Sequence, residues 1–393
     1  MLIKPKRHLI TQPHRNAWLE INLSALEQNA RWWRKHTPAH AELMAVVKAD
    51  AYGHGVLLVA SLLKEAGFSW LGVSNVDEAL QLRQGGVEMP ILVLGATPEW
   101  AWQTAIEHDI RLTIFSLEHV KILKQLKQAV KVHVKVESGM HRLGASPQEA
   151  LKIIEACDAL PHVELEGIFT HFANGDDGAK TQAQWDIFHS QVLTQLKTPV
   201  AVIHASNTPS LLNPAWQSEL TQNACHLIRI GIGLYGYEST VPDLQPVMGL
   251  KSRISHLHKV PAGEGISYGH TFQAPHDALI ATIPLGYADG IPRLLSNRLM
   301  GHFRGCLVPQ VGNITMDQMM FDLSPYLQVH GVEASMPQVG EVITLLEHGE
   351  AGVLEREKDS VGLSLNHWAS VLGTIPYELM CGLRVRLPRS VVR

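Results

Sequence analysis

Lys48 is the first residue of this 393-residue sequence whose position could support covalent chemistry. It lies near the end of an apolar run, LMAVVKA, with the composition of a buried strand. Desolvation at the tip of such a strand lowers the pKa of a lysine amine, which makes the amine usable as a nucleophile or a base. The competing interpretation is a lysine that extends from a barrel rim into solvent, and Lys48 alone does not decide between the two.

Two later runs, HASNT and HLIRIGIGLYG, could together hold an anion. Gly231 lets the backbone approach a ligand closely, and Ile232 offers a second N–H group. Asn207 and Thr208 could begin a short helix and add side-chain donors. The alternative is that Gly231 and Gly233 only form a tight turn. A cofactor phosphate would suit this pair of runs.

The elements that must position these residues repeat along the first half of the chain. From about residue 24, short apolar runs alternate with amphipathic segments of helical length, as in repeated βα units. The eight candidate strands are Leu43 to Ala49, Trp70 to Ser74, Ile91 to Gly95, Leu112 to Phe115, Val132 to Val136, Leu165 to Phe172, Ala201 to Ala205 and His226 to Gly231. Eight such units over roughly 200 residues predict a closed (β/α)8 barrel, with an open doubly wound sheet as the alternative. In such a barrel, working groups lie at the carboxyl ends of the strands.

The sequence changes character after Tyr237. A proline-containing connection, Val241 to Pro246, leads into short strands divided by Gly, Pro and Asn turns, with few helical stretches. We therefore predict an α/β protein in which a TIM-type barrel domain over residues 14–242 is followed by a mainly β C-terminal domain over residues 243–393. Residues 1–22 are expected to pack on that second domain.

The composition is that of an ordinary globular protein, with 46% hydrophobic and 18% charged residues. A net charge of -4 without a long basic run argues against nucleic acid or an anionic membrane as the main partner. Four widely spaced cysteines without a C-x-x-C pair favour reduced thiols and a cytoplasmic location. We expect neither an export signal nor a membrane span. The pair His256 and His258 lacks further ligands at suitable spacing, so no metal site is expected.

The run AVVKADAYGHG, Ala45 to Gly55, resembles the lysine signature of alanine racemases, which are pyridoxal phosphate enzymes. Other runs resemble that family in the same order, and together the resemblance extends from about Ala17 to Arg389. It implies that Lys48 holds the cofactor and exchanges the α-proton of the amino acid on one face. Tyr268, in ISYGHTF, would act on the opposite face, because one lysine can serve only one face without a large movement. In the family this tyrosine comes from the partner subunit, so the resemblance implies a homodimer with shared sites.

The resemblance places Arg229 against the pyridine nitrogen of the cofactor. A guanidinium keeps its proton, so the ring nitrogen stays unprotonated and the ring draws electrons less strongly. That favours return of a proton to the α-carbon over transamination or elimination, which suits a racemase. His171, in GIFTHFA, is expected to hydrogen-bond Arg229 and to assist Tyr268, whose phenol is otherwise a weak base.

The resemblance also assigns residues around the substrate. Arg142, in KVESGMHRLG, would orient the substrate carboxylate and the phenolic oxygen of the cofactor through its planar fork of donors. Lys135 matches a lysine that many family members carry as a carbamate, an anion that would hold Arg142 in place. An unmodified lysine would instead repel Arg142. The other assigned positions are phosphate contacts at Tyr52, Asn207, Thr208, Gly231 and Ile232, partner-subunit residues at Met316 and Asp317, and a gate residue at Tyr287.

Three positions depart from the family pattern. Glu137 replaces a common aspartate, Asn313 takes a place often held by arginine, and Val385 stands where several members have a gate tyrosine. These departures leave the chemistry intact, but they bear on the shape of the entrance and on the range of substrates.

The leading hypothesis is interconversion of L-alanine and D-alanine, which would supply D-alanine for peptidoglycan. A racemase of broader or different specificity, for example for serine, is an alternative. A basic amino-acid decarboxylase is disfavoured, because its ring-nitrogen partner should be a carboxylate rather than Arg229. A non-catalytic pyridoxal phosphate-binding barrel is a further alternative, against which the second domain with Tyr268 argues.

Overall fold

The computed structural model describes residues 14–214, 216, 225–238, 240–331, 336–350, 362–383 and 386–393. The chain divides into two compact units. The barrel unit is Leu26–Leu244, and the C-terminal unit combines Met1–Ala25 with Gln245–Arg393. The departure noted at Val385 lies outside the described residues.

The strands and helices of the described residues are numbered in chain order. The strands are β1 (Ala17–Asn22), β2 (Glu42–Val46), β3 (Trp70–Val73), β4 (Ile91–Val93), β5 (Ile110–Ile114), β6 (Val130–Lys135), β7 (Val163–Phe169), β8 (Val202–His204), β9 (Leu227–Ile230), β10 (Met248–Arg253), β11 (His256–Val260), β12 (Gly265–Ile266), β13 (Phe272–Gln273), β14 (Ala278–Ile283), β15 (Met300–Phe303), β16 (Cys306–Val311), β17 (Met319–Asp322), β18 (Val342–Leu346) and β19 (Arg389–Val392). The helices are α1 (Leu23–Lys35), α2 (Lys48–Tyr52), α3 (Val56–Leu63), α4 (Val76–Gln84), α5 (Trp102–Glu107), α6 (Leu117–Gln125), α7 (Pro147–Asp158), α8 (Gly178–Gln191), α9 (Thr208–Leu212), α10 (Ser324–His330), α11 (Leu365–Leu372) and α12 (Pro376–Gly382).

The barrel unit contains one sheet of eight parallel strands in the order β8-β7-β6-β5-β4-β3-β2-β9. Strands β2 to β5 are buried along nearly their whole length, as expected when both faces of a parallel sheet are covered. The two end strands meet, since His226 N–H donates to Ile203 O (2.8 Å) and Arg229 N–H donates to Ser206 O (3.2 Å). The sheet is therefore a nearly closed barrel, which confirms the predicted (β/α)8 fold and excludes the open sheet.

The C-terminal unit is mainly β, as predicted. Its large sheet has the strand order β11-β14-β17-β16-β15-β18-β10-β1-β19, and β12 pairs with β13 in a separate ribbon. The N-terminal strand β1 belongs to this unit, because it pairs antiparallel with β10 and parallel with β19. Among the described residues, no helix combines the length and the apolar composition that a membrane crossing requires.

Candidate functional site

Lys48 lies just beyond the first barrel strand rather than inside it. The run Leu43 to Ala49 was expected to be continuous strand, but β2 ends at Val46. The parallel pairing with the neighbouring strand stops there, and the last backbone bond runs from Val47 N–H to Gly72 O (2.8 Å). Once that pairing ends, the chain is free to turn, and Lys48 begins α2.

The segment α2 turns in the left-handed sense. Ala49, Asp50, Ala51 and Tyr52 have φ values of 55°, 57°, 55° and 52°. This conformation costs an L-residue roughly 1–2 kcal/mol, so the surroundings must hold it. Two carboxylates do so, since Glu78 accepts from Ala49 N–H (2.7 Å) and Asp50 accepts from the N–H of the first residue of α3 (2.9 Å). The turn fixes the direction in which Lys48 leaves the strand.

Substitutions at Ala49 should reveal this backbone strain. We expect Ala49→Val to lower the free energy of unfolding by about 1–2 kcal/mol, because a β-branched residue tolerates positive φ poorly. Ala49→Gly should leave the stability unchanged or raise it, because relief of strain offsets a loss of about 0.4–1 kcal/mol through the unfolded chain. Urea unfolding of both variants measures the two effects. If both variants changed the free energy of unfolding by the same amount in the same direction, the assignment of backbone strain to Ala49 would be wrong.

The residues expected to bind phosphate come together where β2 and β9 end. Gly231 donates its N–H to Thr208 Oγ1 (3.0 Å). A Cβ at Gly231 would lie 3.0 Å from the Tyr52 hydroxyl, so the glycine keeps this space open. Asn207 caps α9 with its side chain, as the sequence predicts, and Ile232 follows Gly231 as the first residue of a buried 3-10 turn. The result is a small cradle of hydroxyl and N–H groups.

Arg229 is buried in β9 and makes four hydrogen bonds. Its Nη2 lies 2.9 Å from both Thr170 O and Ala205 O and 3.1 Å from His171 Nδ1, so its two hydrogens are shared among three acceptors. Its Nη1 donates to His204 Nδ1 (2.8 Å). Because an arginine only donates, both imidazoles accept and are neutral. Burial lowers the pKa of Arg229 to about 10, so the guanidinium remains charged near neutral pH.

Basic side chains converge on His171. Burial, followed by the charges of Arg229, Lys135, Arg142 and Lys48, holds the pKa of His171 well below its ordinary value. Burial, Arg229 and Arg142 likewise lower the pKa of Lys135 to about 8. Such a concentration of positive charge suits an anionic ligand.

The carboxylate of Glu137 folds back onto its own loop, and its negative charge partly opposes the lowering of the Lys135 pKa. Its Oε1 accepts from Gly139 N–H at 2.5 Å. This is the position where an aspartate is common in the family that the sequence resembles. The longer glutamate side chain is accommodated by this local turn.

Tyr268 is on the surface of the C-terminal unit, with 75% of its area exposed. It begins a 3-10 turn directly after Ser267, which has a φ of 65°. Asn313 holds this turn, because its side-chain amide donates to Tyr268 O (2.6 Å) and its carbonyl accepts from Ser267 Oγ (2.7 Å). The departure at Asn313 therefore contributes directly to the position of Tyr268.

Tyr287, Met316 and Asp317 lie on two loops that are joined through their backbones. Tyr287 N–H donates to Thr315 O and Ala288 N–H donates to Met316 O, both at 3.0 Å. Tyr287 and Met316 are 43% and 53% exposed. In the C-terminal unit these loops and the Tyr268 turn therefore form one connected surface through the segment around Asn313.

Sequence reasoning missed the ion pairs that hold this surface. The buried carboxylate of Asp289 accepts from Gly286 N–H (3.0 Å) and pairs with Arg15 Nη1 (2.5 Å). Arg386 bridges Asp289 (3.6 Å) and Asp317 (2.7 Å). Asp289 lies in the motif GYADG, but its two arginine partners are far away in the sequence, so the motif alone did not reveal the network.

Comparisons with known proteins agree with this arrangement. The alanine racemase N-terminal domain family matches residues 21–239, and the alanine racemase C-terminal domain family matches residues 247–391. The chain is 37% identical over 391 residues to an alanine racemase of Synechocystis sp., covering 96% of this chain and 99% of that protein. It is 38% identical over 388 residues to an alanine racemase of Methanococcus maripaludis, covering 95% and 97%.

A solved structure is similar over nearly the same length. The crystal structure of alanine racemase from Bacillus anthracis with bound L-Ala-P shares 32% identity and a TM-score of 0.84, covering 98% of this chain and 96% of that chain. Both family matches and these relatives span almost the whole sequence. The chain therefore belongs to the alanine racemase family of amino-acid-isomerising enzymes.

Proposed function

We propose that this protein interconverts L-alanine and D-alanine with pyridoxal 5'-phosphate as its cofactor. The observation that carries the proposal is that Arg229 lies in β9 and Lys48 follows the end of the adjacent strand β2, beside the cradle at Gly231. Strand β2 pairs with β9 so that Met44 lies opposite Arg229, and Lys48 follows where β2 ends. An amine, a ring-nitrogen partner and a phosphate cradle are thus supplied at one end of one pair of strands.

The residues present fit this cofactor. Tyr52, Thr208 and Gly231 form a cradle that a side chain at Gly231 would fill, and Asn207 and Ile232 adjoin it. Arg229 would face the ring nitrogen, and the Lys48 amine would hold the cofactor covalently. When bound, the cofactor supplies an electron-accepting ring that makes the α-hydrogen of the amino acid acidic.

Lys48 and Tyr268 would move protons at the two faces of the α-carbon. Lys48 would take or return the proton on one face, and the partner subunit's Tyr268 would act on the other. The high exposure of Tyr268 and Met316 in their own unit supports a role against a second subunit. His171 supports the tyrosine chemically, because its Nδ1 accepts from Arg229 and its Nε2–H is left to donate to a phenolate oxygen.

Around the substrate, we assign the carboxylate to Arg142 and to groups of the partner subunit at Met316 and Asp317, with Tyr287 at the entrance. Lys135 would carry a carbamate that pairs with Arg142. The lowered pKa of Lys135, about 8, supports this, because only the uncharged amine reacts with carbon dioxide. The carbamate would also replace a repulsion between two cations by an attraction.

The carbamate predicts a specific signal. Protein equilibrated with 13C-bicarbonate should show a protein-bound carbamate resonance, and Lys135→Arg should lack it, because a guanidinium does not form a carbamate under these conditions. A high-resolution density map should show extra atoms on Lys135 Nζ. A map with a bare amine at that position would remove this part of the proposal.

The function is tested by turnover of a panel of amino acids with the purified, cofactor-loaded protein. L-alanine and D-alanine should each convert to an equal mixture of the two, since enantiomers have equal free energies, and circular dichroism follows the reaction. Faster conversion of serine than of alanine would favour a racemase of different specificity. Bound cofactor without turnover of any amino acid would favour a cofactor carrier.

We propose that the biological role is supply of D-alanine for peptidoglycan in the cytoplasm. None of the four cysteines forms a disulfide, which supports a reducing compartment. Expression of the gene should restore growth of a bacterium that requires external D-alanine, and the inactive Lys48→Ala variant serves as the control.

A further inference from the structure

A line of four polar side chains runs through the interior of the barrel, away from the proposed cofactor site, and all but Glu166 are buried. Arg229 Nη1 lies 2.8 Å from His204 Nδ1, and His204 Nε2 lies 2.9 Å from His133 Nδ1. His133 Nε2 lies 3.3 Å from Glu166 Oε2. Four neighbouring strands, β9, β8, β6 and β7, supply one residue each. Both histidines are completely buried.

The two ends of this line determine where every proton in it lies. Arg229 can only donate, and an ionised Glu166 can only accept. His204 therefore accepts at Nδ1 and carries its proton on Nε2, which donates to His133 Nδ1. His133 in turn carries its proton on Nε2 and donates it to Glu166. Both rings are thus neutral Nε2–H tautomers, and every hydrogen points from Arg229 towards Glu166.

The charges agree with this assignment. Burial and the charge of Arg229 hold the pKa of His204 well below its ordinary value, and burial lowers the pKa of His133. Burial acts to raise the pKa of Glu166, but hydrogen bonds from His133 and Arg111 together lower it to about 2. These pKa directions favour an ionised Glu166 and two uncharged histidines.

Packing fixes the imidazole rings of His133 and His204 in these positions. A Cβ at Gly167 would lie 2.3 Å from His133 Nδ1, so only glycine leaves room for that ring. His204 stacks on Phe169 with 4.4 Å between ring centroids. Arg111 Nε holds Glu166 Oε2 at 3.1 Å from the other side. Steric contacts and an additional ion pair therefore hold this line of side chains in place.

We propose that Glu166 and His133 are positioning residues that keep His204 Nδ1 an acceptor and so orient Arg229 for the cofactor. The proposal rests on the role proposed for Arg229 above. If the proton of His204 moved to Nδ1, it would oppose the Nη1–H of Arg229 and force the guanidinium to shift, because Nη2 is fixed on two backbone carbonyls. The control point, Glu166, is three hydrogen bonds away from the guanidinium.

The test replaces Glu166 by glutamine, whose amide offers one acceptor where the carboxylate offers two. The matched control is Glu164→Gln on the same strand, since Glu164 is 60% exposed and its ion pair is with Lys131 at 3.9 Å. NMR of protein labelled with 15N-histidine reports the tautomer of each ring, both without and with cofactor. We expect single Nε2–H tautomers of His133 and His204 in the wild type and in Glu164→Gln, and mixed tautomers in Glu166→Gln.

Kinetics supply the second readout. Glu166→Gln and His133→Phe should each lower kcat for alanine about 10-fold while cofactor is retained, as is typical when an outer partner that orients a working group is lost. The double variant should fall no further than the single variants, because all three break the same line.

An unchanged His204 tautomer in Glu166→Gln would overturn the proposal, whether kcat falls or not, since a fall alone would then reflect a structural effect. The histidine tautomers can be measured by NMR in the cofactor-free protein. If the wild-type protein had no racemase activity, the proposed function would be wrong, but the tautomer measurement would still test this inference.

Discussion

Lys48→Ala is expected to reduce racemisation of alanine by about 10⁴-fold or more, since it removes an acid/base group and the attachment point of the cofactor together. After borohydride reduction, the wild-type protein should carry the cofactor mass on the peptide that contains Lys48, and the variant should carry none. Circular dichroism of alanine measures the loss of activity.

Lys64→Ala is the matched control, because Lys64 is an exposed lysine just after α3 in the same unit. It should keep both the activity and the labelled Lys48 peptide. Trapping of the cofactor on a different lysine, or substantial racemisation by Lys48→Ala, would remove Lys48 from the centre of the site.

Tyr268→Phe is expected to lower racemisation by about 10²–10⁴-fold while the cofactor remains bound, because one of two proton-transfer groups is lost. The loss should be unequal for the two faces. In heavy water, the enantiomer whose α-hydrogen faces Lys48 should still exchange that hydrogen for deuterium, and the other enantiomer should exchange very slowly. Proton NMR of the α-position measures both rates.

The control for Tyr268 is Tyr377→Phe in α12, a tyrosine with no assigned role in the proposed site, and this variant should retain full activity. An equal and mild loss of exchange from both enantiomers of alanine in Tyr268→Phe would overturn the assignment of two bases.

Mixing the two inactive variants tests whether sites are shared between subunits. In a mixed dimer, intact Lys48 of one chain meets intact Tyr268 of the other at one of the two sites. Random exchange of subunits should therefore restore about a quarter of the wild-type sites. If each site were formed within a single chain, mixing Lys48→Ala with Tyr268→Phe would restore no activity.

The barrel was predictable from the sequence because its strands are buried on both faces, so each is an apolar run of the right length between helical segments. All eight predicted strands are present, although several ends differ. The ends depend on where backbone pairing with the neighbouring strand stops, which a single sequence does not record. At Lys48 this difference matters, because the residue begins a left-handed turn instead of closing a strand.

The separate roles at the candidate site were predictable from local motifs to different degrees. Asn207 caps a short helix and Gly231 lines an open cradle, as the residue types alone suggest. The roles assigned to Lys48, Tyr268 and Lys135 came from resemblance to a family and remain predictions until the variants are measured. The domain limits at residues 242 and 243 likewise remain a proposal.

By itself, the sequence determined the order of the strands along the chain, the two kinds of unit and the residue types available for chemistry, since periodicity and composition are local properties. Only the tertiary structure decided which distant residues meet. The β6–β7 pairing shifts register after Val132, so His133 lies opposite Gly167 while its Nε2 is 3.3 Å from Glu166 Oε2. Arg15 reaches Asp289 through the fold of the C-terminal unit. Such contacts depend on strand register and on chain packing over hundreds of residues, and local sequence patterns do not encode either one directly.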